Sequence, residues 1–145
     1  MNAPVEVDQE QQLVEDILSF AQDPLGYVWY AFPWGEPGTE LANKSGPRPW
    51  QIVVLDSIGK KLRAGAKDLG EVIHEATASG HGIGKSALVS WLIKWSVDTC
   101  VDARGVVTAN TETKLRTKTW PEVSKSLRLS ITAHWFRITA TALIS

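Results

Sequence analysis

Ser79-Gly80-His81-Gly82-Ile83-Gly84-Lys85-Ser86 is the stretch on which the reading of the fold turns. Three glycines in six positions let a backbone bend closely around a ligand, with several N–H groups pointing inward. The phosphate-loop pattern is Gly, four residues, then Gly-Lys-Ser or Gly-Lys-Thr. Gly84, Lys85 and Ser86 match it, and Ser79 stands where the first glycine is expected. In this chemistry Lys85 reaches the β- and γ-phosphates and the Ser86 hydroxyl ligates Mg²⁺. The positive end of a following helix, entered through Ala87, adds to the anion site. The loop therefore points to a nucleoside triphosphate with Mg²⁺, read as ATP. A glycine-rich turn that binds nothing would not need Lys and Ser at the helix start. A dinucleotide-binding reading fails because Lys85, not glycine, lies three residues after Gly82.

Outward from the loop, the pattern alternates. Residues 71–78 suit a short buried strand and 85–99 a well-buried helix. Residues 104–109 suit a second strand, 111–129 a helix with a break or new start at Pro121, and 135–143 a third strand. Strand, helix, strand, helix, strand predicts an α/β fold: a parallel sheet of P-loop NTPase type flanked by helices and joined by right-handed crossovers. Upstream, residues 50–64 suit a helix with Pro49 at its start and Ile52, Leu55, Ile58 and Leu62 on one side. Residues 8–22 suit an amphipathic helix ended by Asp23-Pro24.

Between these helices, residues 24–49 read as an irregular loop rich in Pro, Gly and rings, including Tyr27, Trp29, Tyr30, Phe32 and Trp34. Such rings pack a loop on a domain. They can also stack on bases, but here they are not interleaved with basic residues. Two parts follow: residues 1–49, a helix and aromatic segment packed on the core, and residues 50–145, a partial P-loop ATPase domain.

Charge is unevenly spread. Residues 1–40 carry eight acids and no Lys or Arg, while the remainder carries 15 Lys and Arg against eight acids, a net of +7. A basic domain often meets phosphate, although a solvated surface with an acidic leader has the same count. Cys100 is the only cysteine, so no internal disulfide forms. No apolar run is long enough to span a membrane, and the acidic N-terminus does not read as a signal peptide; a cytoplasmic setting fits. His74 and His134 have no Cys or His at metal-ligand spacing.

Four segments together resemble the large terminase subunit of tailed bacteriophages, the ATP-driven motor that packages DNA. They are Ala-Phe-Pro-Trp-Gly at 31–35, Gly-Pro-Arg-Pro-Trp-Gln at 46–51, Ala-Ser-Gly-His-Gly-Ile-Gly-Lys-Ser at 78–86, and the run from Thr108 to Trp120. The resemblance implies a motor that hydrolyses ATP to push double-stranded DNA into a capsid. It implies a portal and a small terminase subunit as partners, with a homo-oligomeric ring possible and no membrane. Gln51 looks like the glutamine that reads the edge of adenine, which a carboxamide does by donating to N7 and accepting from the N6 amine. The alternative is a polar helix face. Thr108–Thr111 looks like the loop that touches the DNA backbone, with Lys114, Arg116 and Lys118 extending a basic surface; a solvated helix face is the alternative. His81 stands where many terminases carry an arginine, a weaker and titratable substitute.

The family's apolar strand ending in Asp-Glu, which positions Mg²⁺ and water, does not occur in residues 87–145. The expectation is therefore an apparently truncated N-terminal part of the ATPase domain, binding ATP but hydrolysing it poorly alone. Two other readings stay open: another ATP-dependent nucleic-acid motor of helicase type, and a non-catalytic nucleotide-binding remnant.

Overall fold

The computed structural model describes residues 3–65, 85–100, 116, 119–139 and 142–144. Helix α1 spans Ala3–Leu18. Helix α2 spans Pro24–Ala31, where the sequence predicts an irregular loop. Its start is well specified. Pro24 occupies the first position, and the Asp23 carboxylate accepts from the Gly26 backbone N–H at 3.0 Å. Gly26 is required there, because a Cβ would collide with the capping carboxylate. The helix stops at Phe32, whose extended backbone precedes Pro33.

Helix α3 spans Pro49–Ala64 and ends on Gly65 at φ 151°. Helix α4 spans Lys85–Thr99, as its apolar spacing predicts. Helix α5 spans Trp120–Leu127, with Pro121 in its first turn. A 3₁₀ turn at Ala133–Trp135 leads into strand β1, Arg137–Ile138, and then strand β2, Leu143–Ile144. The two strands pair antiparallel, Arg137 opposite Ile144 and Ile138 opposite Leu143.

The core is helix against helix. Ile17 of α1, Tyr27 and Val28 of α2, Leu55 of α3 and Trp91 of α4 are buried together. The aromatic segment closes one side: the Trp34 ring meets Trp91 edge-on at 5.6 Å, and its Nε1–H donates to the Val28 carbonyl at 2.9 Å. Trp95 ties α4 to the α1–α2 turn by donating to the Phe20 carbonyl at 2.7 Å.

These findings overturn the expected α/β fold with its parallel sheet. The described residues are mostly helical, and their only sheet is a two-stranded antiparallel hairpin. Residues 135–143 do not run as one strand. The Thr139 N–H donates to the Ala142 carbonyl at 2.8 Å and the Ala142 N–H to Thr139 Oγ1 at 2.9 Å, which folds the segment back on itself. Threonine hydroxyls compete with a ladder for backbone groups in this way, and small Thr and Ala side chains give a strand little apolar surface to hold it. The strands expected at 71–78 and 104–109 lie outside the described residues, as do 111–115 of the expected fourth helix.

Candidate functional site

The site read from the sequence centres on the start of α4. Ser79, Gly80, His81, Gly82, Ile83 and Gly84 lie outside the described residues. Lys85 is the first residue of α4 and is exposed, while Ser86 and Ala87 behind it are half-buried. No acid occupies this first turn. A lysine at a helix N-terminus faces the positive end of the helix dipole, an unfavourable place for a cation unless an anion joins it. Ser90 Oγ caps inward by donating to the Ala87 carbonyl at 2.6 Å.

Gln51 sits at the third position of α3, buried, and its Oε1 accepts from the Arg48 backbone N–H at 2.8 Å. That bond satisfies one of the donors a helix start leaves orphaned. Arg116 is exposed; Lys114 and Lys118 lie outside the described residues. Among the described residues no three His, Cys, Asp or Glu side chains gather as a metal site.

The sequence reading passes over a second cluster on the same helix. Lys94 and Asp98 have fully buried side chains and pair at 2.8 Å across one helical turn. All three ammonium protons are used: Lys94 Nζ donates to Asp98 Oδ1 at 2.8 Å, to Thr132 Oγ1 at 2.7 Å and to the Thr132 carbonyl at 3.1 Å. It also lies 4.1 Å above the Phe136 ring. Asp98 Oδ2 accepts from the Tyr27 hydroxyl at 2.7 Å and the Thr132 hydroxyl at 2.5 Å. Burial lowers the pKa of Lys94, against the opposing pull of Asp98. Burial, then the Asp98 charge, raises that of the Tyr27 phenol well above the usual tyrosine range. The cluster joins α2, α4 and the turn at Thr132. Its signal in the sequence is Lys and Asp four residues apart on a helix rich in apolar residues.

Among the described residues no helix is long and apolar enough to cross a membrane. No family model, no curated protein and no solved structure matches the chain.

Proposed function

We propose that this chain is the ATP-binding part of a DNA-packaging motor of the terminase large-subunit type, working with Mg²⁺ on double-stranded DNA in a bacterial cytoplasm. The observation that supports the reading best is Lys85-Ser86 opening helix α4, with the glycine-rich sequence Ser79–Gly84 immediately before it. The flanking segments at 31–35, 46–51 and 108–120 narrow a nucleotide-binding loop to this kind of motor. The reading rests on the loop and the helix that follows it, not on a sheet. In the complete motor a portal, a small subunit and further copies in a ring are its partners.

Each residue has a defined task. Lys85 neutralises phosphate charge, and the exposed position of its side chain leaves it available to a ligand. The Ser86 hydroxyl holds Mg²⁺. Backbone N–H groups of the loop and of Ala87 cradle the phosphates.

Titration of the chain with a fluorescent ATP analogue in the presence of Mg²⁺ tests this. Saturable binding is expected, weakened about 10- to 100-fold in Lys85→Ala, the scale of a lost charge-assisted bond. Absence of saturable binding, or binding that Lys85→Ala leaves unchanged, sinks the proposal.

A further inference from the structure

A groove of about 490 Å³ runs along α1, lined by Glu10, Leu13 and Asp16 of that helix and by Tyr30 and Ile131. Its walls are tied together. The Tyr30 hydroxyl donates to Asp16 Oδ2 at 2.9 Å, and Gln12 Nε2 donates to Asp16 Oδ1 at 2.8 Å. The Ile131 N–H donates to the Ala31 carbonyl at 2.7 Å. Trp135 Nε1 donates to Glu10 Oε1 at 2.6 Å. The floor is apolar and open: Ile131 is 47 % exposed and Tyr30 36 %.

The rim is acidic. Among the described residues no Lys or Arg pairs with Asp8, Glu10, Glu15 or Asp16; the one ion-pair partner is His134, beside Glu10. Residues 1–40 contain no Lys or Arg that could supply a counter-charge. Such a surface repels nucleic acid and anionic lipid. It attracts a cationic partner, and the apolar floor asks that partner for an aliphatic side chain. The α1 wall from residue 9 to residue 16 is about 10 Å long at the rise of a helix, two turns of a docked helix.

We propose that this groove binds a basic amphipathic helix of a partner protein, with one aliphatic residue seated between Leu13, Tyr30 and Ile131 and Lys or Arg side chains meeting Glu10 and Asp16. The arrangement is helix-in-groove recognition with electrostatic steering. It does not rest on the nucleotide-binding reading.

Fluorescence anisotropy of the full chain with a labelled Leu/Lys amphipathic peptide, about 18 residues long so that it can be helical, tests it. The peptide should bind saturably, and several-fold more weakly when salt is raised from 50 mM to 300 mM. Ile131→Ser should weaken binding about tenfold, the loss of one apolar anchor. Asp16→Asn should weaken it several-fold, with circular dichroism confirming that both variants stay folded. No binding of the Leu/Lys peptide overturns the proposal. Equal binding of a Gln/Lys or Leu/Glu peptide overturns it too, because then either charge or apolarity alone suffices. So does undiminished binding to folded Ile131→Ser. Self-association in sedimentation velocity that Ile131→Ser abolishes assigns the groove to a second copy and overturns it as well.

Discussion

Lys94 shows how one residue can be costly to bury and costlier to remove. An ammonium with no solvent exposure carries a large desolvation penalty, offset here by a carboxylate, a hydroxyl, a carbonyl and a ring. Replacing it with methionine keeps the volume but strands the Asp98 carboxylate among Tyr27 and Thr132. Lys94→Met is expected to lower unfolding free energy by about 3–5 kcal/mol in urea denaturation. Tyr27→Phe removes one of two donors to Asp98 Oδ2 and should cost less, about 1–3 kcal/mol. The same residue sets the alkaline limit of the fold. The folded chain keeps the Tyr27 proton to higher pH than the unfolded chain, whose tyrosines ionise near pH 10 (approximately). This contribution is complete below that value and is lost as pH rises beyond it. The wild-type decline in stability from about pH 10 upward should therefore be shallower in Tyr27→Phe.

Among the elements, α4 was the most legible, and the reason is physical. Its run of apolar residues reads as a well-buried helix, and Leu88, Trp91 and Trp95 are buried, although Ser90 and Lys94 are buried against that pattern and Val89 is exposed. Helix α3 was legible for the same reason, with Pro49 marking its start. Helix α2 was not. Pro24-Leu-Gly-Tyr-Val-Trp-Tyr-Ala carries a proline, a glycine and three rings, and propensity reads it as a loop. The Asp23 cap and burial of Tyr27 and Val28 override that preference. The hairpin was missed because Thr and Ala alternation resembles a strand until threonine side-chain bonds reverse it. At the site, Lys85 and Ser86 were placed on a helix start by sequence alone. Gln51 could not be assigned, because a carboxamide suited to adenine is equally suited to capping a helix. If the Asp23 cap is what secures α2, Asp23→Ala should cost about 1 kcal/mol of stability. Asp23→Asn, which keeps the acceptor, should cost measurably less in the same thermal or urea titration.

The molecule as a whole is closed by a contact between its distant segments. Glu10 of α1 meets His134 at 3.1 Å and Trp135 at 2.6 Å, so the acidic first helix is joined to the turn that follows α5. The indole N–H and then the imidazole lower the pKa of Glu10 below the usual carboxylate range. The folded chain thus keeps this carboxylate ionised at a pH where the unfolded chain has already protonated it. The stabilisation is present above the ordinary glutamate value, about 4.3, and fades as pH falls through the lower folded one. Glu10→Gln preserves an oxygen for Trp135 but has no proton to bind. Melting temperatures of wild type and Glu10→Gln should differ most near neutral pH, with the wild type higher, and converge toward pH 3. A gap that is constant across this range would show that Glu10 holds the two segments together by shape and neutral hydrogen bonding, without its charge.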